Sequence, residues 1–154
     1  MGGGGGRFAA TAVLPSARRE AWRGTQMSLE LYMLLLAALI PLVMVAVQGT
    51  ALTLKMGMGP LLGNRERFAP PAGWPGRYIR AHANQIENLV PFGLLILVAH
   101  AAGVSNEVTR VAAEVFLGAR LVHAASYIAG ILYIRTAAFY AGLLAMFAIA
   151  LQLL

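Results

Sequence analysis

The run from Leu29 to Leu54 is almost unbroken in apolar residues. A helix rises 1.5 Å per residue, so about 20 residues cross the hydrocarbon of a bilayer. A stretch this long has few folds open to it. In lipid each backbone N–H and C=O must be satisfied internally, which favours a helix. Pro41 and Gly49 interrupt the run, but membrane helices tolerate both residue types. The remaining apolar pattern predicts three more helices, over about 76–102, 107–132 and 135–154. The connections at 103–106 and near 130–134 are short, and short connections make neighbouring helices antiparallel. The expected fold is all-α: an integral membrane, up-down four-helix bundle. A bacterial inner membrane or a eukaryotic endomembrane would suit it.

Composition agrees with a multi-pass protein. Of 154 residues, 59% are hydrophobic and 12% charged, whereas a soluble domain carries about 25% charge. The mean hydropathy is +0.70. The formal net charge is +6, but the basic residues flank greasy segments. That pattern reads as anchoring at a membrane surface rather than nucleic-acid binding. There is no cysteine, so disulfides and thiolate metal sites are excluded, and no metal site is expected.

Residues 1–26 form a separate region. "MGGGGG" is of low complexity, and the Arg-rich stretch after it lacks the apolar run of a secretory signal. Gly6 breaks the myristoylation pattern. Two readings remain: a transit-like tail, or a natural start at Met27, where "MSLELYMLLLAALIPLV" reads as a complete amino terminus. The second is preferred, so 1–26 is expected to be a disordered or non-native tail ahead of a domain over 27–154. With that start, Lys55, Arg65, Arg67 and Arg77 place the first loop on the cytoplasmic side, with both termini opposite.

The second helix carries an unusual set of polar groups in "RAHANQIENLVP". At about 100° per residue, Asn84, Glu87 and Pro91 fall within about 40° of Arg80, and Arg77 within about 60°. His82 and Gln85 lie off this stripe. A charge near the centre of a membrane helix costs about 2.5–3.5 kcal/mol or more. Arg80 and Glu87 are about two turns apart, too far for the usual i,i+4 pair. Each therefore calls for a partner on another helix, another subunit or a ligand. The third helix offers "ARLVHAASY", which puts Arg120, His123 and Tyr127 on one face. Arg135 and Thr136 then open the fourth helix. Bland roles compete for several residues: Arg77 as an interfacial snorkelling group, Gln85 and His100 as polar contacts inside the bundle, and Glu107, Arg110 and Glu114 as a solvated set. Met33, Met44 and Met146 read as ordinary packing.

These residues resemble a known family. "RAHANQIENLVPF" is similar to the second-helix signature of the MAPEG proteins, the membrane-associated proteins of eicosanoid and glutathione metabolism, through Arg80, Asn84, Glu87 and Pro91. "GARLVHAASY" resembles the third-helix pattern of the microsomal prostaglandin E synthase branch, and "IRT" the Arg-Ser step that opens the fourth helix there; the microsomal glutathione S-transferases are the neighbouring branch. The resemblance covers about 29–154. It implies a homotrimer with glutathione held between subunits. Arg80, Asn84, Glu87, Arg120, His123 and Tyr127 would grip the tripeptide, with Arg77 and Lys55 beside them. Arg135, with Thr136, would stabilise the thiolate. The chemistry suits these residue types: glutathione carries two carboxylates and an ammonium, arginines fork onto carboxylates, and a nearby cation lowers a thiol's pKa. Ala83 and Asn88 depart from the eicosanoid-converting branches, so no eicosanoid substrate is expected.

The expected function is glutathione-dependent transfer to, or peroxide reduction of, lipophilic electrophiles, with a hydrophobic small molecule as second substrate. The alternative is a non-catalytic lipid- or ligand-binding protein of the same fold. A transporter using the polar stripe as a path fits less well, because the chain lacks repeated halves.

Overall fold

A computed structural model describes residues 27–58, 62 and 72–154. The tail 1–26 and the loop residues Arg65 and Arg67 lie outside the described residues. Four helices follow one another: α1 (Leu29–Met56), α2 (Trp74–Ala101), α3 (Glu107–Ala129) and α4 (Leu132–Leu151). The stretch Leu29–Leu54 of α1, together with α3 and α4, is long and apolar enough to cross a membrane. α2 matches α1 in length but is diluted by the charges of its first half. The protein is an integral, multi-pass membrane protein built as a four-helix bundle.

Helix ends follow local chemistry. α2 starts at Trp74, two residues earlier than its sequence predicts, with Pro75 in the first turn, where a missing N–H breaks no helical bond. α3 stops at Ala129 rather than near 132. Gly130 adopts φ 84, and the N–H groups of Gly130 and Ile131 return to the carbonyls of Tyr127 and Ser126 at 3.2 and 2.8 Å. This is a Schellman close, which needs a left-handed residue that glycine supplies without strain. α4 begins directly at Leu132, so Arg135 and Thr136 sit one turn inside it rather than opening it.

Two apolar clusters hold the helices. The larger joins Ala37 of α1, Phe92 and Ile96 of α2, Phe116 of α3, and Met146 and Ile149 of α4. The rings of Phe92 and Phe116 stack with centroids 3.8 Å apart. The smaller joins Met44, Ala81 and Ala124, and the Tyr78 hydroxyl beside it donates to the Met44 carbonyl at 3.0 Å. Gly142 of α4 faces α3, where an added Cβ would meet Ala119, Arg120 and Phe116 at 3.7–3.8 Å. Ala37 and Gly142 thus serve packing within the chain itself. His100 also differs from its expected place: it is exposed near the end of α2 instead of inside the bundle.

A polar knot ties the end of the bundle that carries the start of α1 and the end of α4. Glu30 is buried. Its Oε1 accepts from the Thr109 hydroxyl at 2.6 Å and from the Ser105 hydroxyl at 2.8 Å, while Oε2 is buried without a hydrogen-bond partner. Asn106 caps α3 and donates from its side chain to Gln152 at 2.9 Å. The carboxylate sits in the first turn of α1 and against that of α3, where helix dipoles favour negative charge. Thr109→Val keeps the shape and removes the shorter donor. It is expected to lower stability by about 1.5–3 kcal/mol, the usual worth of a hydrogen bond to a charged group, with Thr109→Ser closer to wild type. Thermal unfolding in detergent measures this; equal midpoints for Val and wild type would show that the knot contributes nothing.

Candidate functional site

The other end of the bundle gathers Arg77, Arg80, Arg120 and Arg135. Arg120 lies roughly 14 Å from the end of α3 at 1.5 Å per residue, and it is 1% exposed. Its Nε donates to Gln85 Oε1 at 2.7 Å, and the Gln85 amide donates back to the Arg120 carbonyl at 2.8 Å. Its Nη2 donates to Asn84 Oδ1 at 2.7 Å and meets His123 Nδ1 at 3.3 Å. Arginine has no acceptor, so this last contact places the imidazole proton on Nε2. Among the described residues Nη1 is buried with no partner. An unsatisfied N–H on a buried cation is costly, and it marks a position where an incoming acceptor would be strongly held.

His123 connects this group to the head of α4. Its ring meets Tyr127 edge-on at 5.6 Å and lies 6.3 Å from Phe139. The guanidinium of Arg135 sits over the Tyr127 ring, 4.7 Å from its centroid. Cation–π attraction holds such an arginine without using its N–H groups. The expected face of Arg120, His123 and Tyr127 is therefore formed, and Arg135 is brought to its edge from α4. Thr136 is exposed and donates its hydroxyl to the Leu132 carbonyl at 3.0 Å.

The α2 stripe divides in two. Asn84 turns its carbonyl oxygens to Arg120, and its amide reaches Glu87 Oε2 at 3.5 Å, the outer limit for such a bond. Arg80 and Glu87 are exposed on the single chain. Arg77 is engaged elsewhere: its Nε donates to the Ile128 carbonyl at 2.9 Å and lies across Gly130, closing the end of α3. Lys55 is in the last turn of α1, and its side chain lies outside the described residues.

Two contributors stand outside the residues singled out from sequence. Gln85, read there as an ordinary bundle contact, is the principal partner of Arg120. The signal was available: a core-facing glutamine in an apolar bundle must bond to something. Phe139 carries no such signal, because an aromatic residue in an apolar helix looks like packing. A separate open groove of about 630 Å³ runs outside α3 and α4 along Val108, Val111, Val115, Ala141 and Leu144. It lies in the half of α3 away from Arg120 and, apart from Glu107, is lined by apolar residues, which suits contact with lipid.

The sequence model described as MAPEG family matches residues 29–154. No curated protein matches the chain.

Gly130 carries a prediction about how the site is held. A Cβ there would stand 3.4 Å from Arg77 Nε, on a backbone of φ 84. Gly130→Ala is expected to cost about 1–2 kcal/mol through the left-handed backbone alone, and to loosen Arg77. A lowered unfolding midpoint in detergent checks it; an unchanged midpoint would mean that the Schellman close is dispensable.

Proposed function

The chain belongs to the MAPEG family, and from that premise we propose that it is a membrane-embedded, glutathione-dependent transferase or peroxidase acting on lipophilic electrophiles. Members of the family are generally glutathione-related transferases or eicosanoid-metabolising proteins. The observation that carries the reading for this chain is Arg120: a buried guanidinium held by neutral groups, with Nη1 left without a partner. Glutathione suits that gap, since it brings two carboxylates. Its ammonium suits Glu87, and its thiol suits a position beside Arg135.

In this reading Arg80, Asn84, Arg120, His123 and Tyr127 bind and orient the tripeptide. Bound glutathione supplies a sulfur nucleophile. Arg135, fixed over Tyr127, favours the ionised sulfur by a charge already in place before reaction. Thr136 lies one residue further along α4, and Lys55 and Arg77 flank the site as further cations. The lipophilic partner arrives from the bilayer, against the exposed apolar face of α4 at Leu132, Tyr140 and Leu144. A homotrimer completes the proposal. The exposure of Arg80 and Glu87 on a helix within a membrane bundle supports it, because neighbouring subunits would cover that face.

Two substitutions separate binding from chemistry. Glu87→Gln is expected to weaken glutathione binding about tenfold or more, the equivalent of one charged hydrogen bond. Arg135→Leu is expected to leave most binding intact and to abolish conjugation of a lipophilic electrophile. Glutathione affinity and turnover are measured on the detergent-purified protein. If wild type binds glutathione but turns over no electrophile or peroxide, the non-catalytic alternative holds. If it does not bind millimolar glutathione at all, the proposal fails.

A further inference from the structure

A histidine beside a thiol invites a role as the base that takes the thiol proton. A base needs a free lone pair, and a neutral imidazole has one, on the nitrogen without hydrogen. In His123 that nitrogen is Nδ1, and Arg120 Nη2 stands 3.3 Å from it. The guanidinium is itself fixed by Gln85 and Asn84, each at 2.7 Å. Protonation of the ring at Nδ1 would set N–H against N–H across that contact. It would also add a positive charge beside two others, Arg120 on the same helix and Arg135 on α4, and like charges disfavour it. The acid on α2, Glu87, is exposed and bonded to Asn84 instead. Nε2 therefore carries the hydrogen. It makes no hydrogen bond among the described residues and, unlike Arg120 Nη1, is not fully enclosed, so a ligand can reach it.

We propose that His123 is a fixed neutral donor: its Nε2–H hydrogen-bonds an acceptor of the bound tripeptide, and the ring does not take the thiol proton. When the thiol ionises, the electron pair of the S–H bond stays on sulfur and the proton passes to water, with the charge of Arg135 favouring the ionised form. The imidazole thus contributes grip rather than proton transfer. Arg120 sets this role by occupying Nδ1. Tyr127 and Phe139 steady the ring, with centroids 5.6 and 6.3 Å away. The inference rests on reading the ligand as glutathione.

Two substitutions separate the two ring nitrogens. An asparagine ends near the position of Nδ1 and keeps an acceptor for Arg120, while a glutamine ends near that of Nε2 and keeps the donor for the ligand. Glutathione affinity, thiolate absorbance of the bound tripeptide and thermal unfolding without ligand are measured in detergent for wild type, His123→Asn and His123→Gln. His123→Asn is expected to unfold near wild type but to bind glutathione about tenfold or more weakly. His123→Gln is expected to bind close to wild type and to unfold at lower temperature. At saturating glutathione both are expected to hold the wild-type fraction of thiolate. Binding that follows stability, worse in His123→Gln than in His123→Asn, means a structural role alone and overturns the inference. A thiolate fraction that falls in both variants toward that of free glutathione means that His123 takes the proton, and overturns it too. If His123→Asn does not fold, His123→Gln decides: affinity and thiolate both kept support the inference, and loss of either overturns it. A wild type that binds no glutathione removes the glutathione reading and the inference together. Wild-type binding with an unchanged affinity in His123→Asn removes the inference alone.

Discussion

The bonds between Gln85 and Arg120 set the geometry of this half of the molecule. A charge this far from the end of α3 needs partners for its N–H groups, and α2 supplies most of those that Arg120 has. Asn84 and Gln85 are consecutive residues, and both turn oxygens to one guanidinium. The register of α2 against α3 follows. Ala81, one turn earlier on α2, then packs with Ala124 and Met44, and Phe92, about two turns later, stacks on Phe116. Shifting α2 by a single residue would separate the amides from Arg120 and the rings from each other.

The two ends of the bundle are opposite in character. At one, Glu30 is buried against hydroxyl donors and two helix starts. At the other, Arg77, Arg120 and Arg135 are held by a carbonyl, by amides and by a ring face. At neither end does the described hydrogen bonding join a buried cation directly to a buried anion. Among the described residues the two buried charges, Glu30 and Arg120, are met by neutral groups, with Glu30 Oε2 and Arg120 Nη1 left over, so each charge keeps an outward influence that a salt bridge would remove.

The sequence revealed the helices because the apolar runs are long, while the ends set by Pro75 and Gly130 fell two or three residues from where the runs alone placed them. It also placed Arg120, His123 and Tyr127 on one face, since spacing along a single helix is simple arithmetic. What it did not reveal depends on the packing of one helix against another. Gln85 looked unremarkable until α3 placed Arg120 opposite it. Arg77 was legible as an interfacial cation and as a neighbour of the ligand site, but its bond to the Ile128 carbonyl depends on the close of α3. Glu30 does not stand out in the sequence at all, because its partners Thr109 and Ser105 are distant along the chain. Gly142 carries no signal in its own helix, and its place in the α3–α4 seam comes from Ala119, Arg120 and Phe116 opposite it.

The close at Gly130 and Ile131 leaves almost no chain between α3 and α4. These two helices form a stiff hairpin, and Tyr127 and Arg135 keep their separation because they straddle its bend. α1 is placed otherwise: it packs against α2 and α3 without bordering α4, and Pro41 interrupts its ladder of backbone bonds. α3 and α4 therefore hold Tyr127 and Arg135 as one unit, to which α1 is joined through α3 and α2 alone.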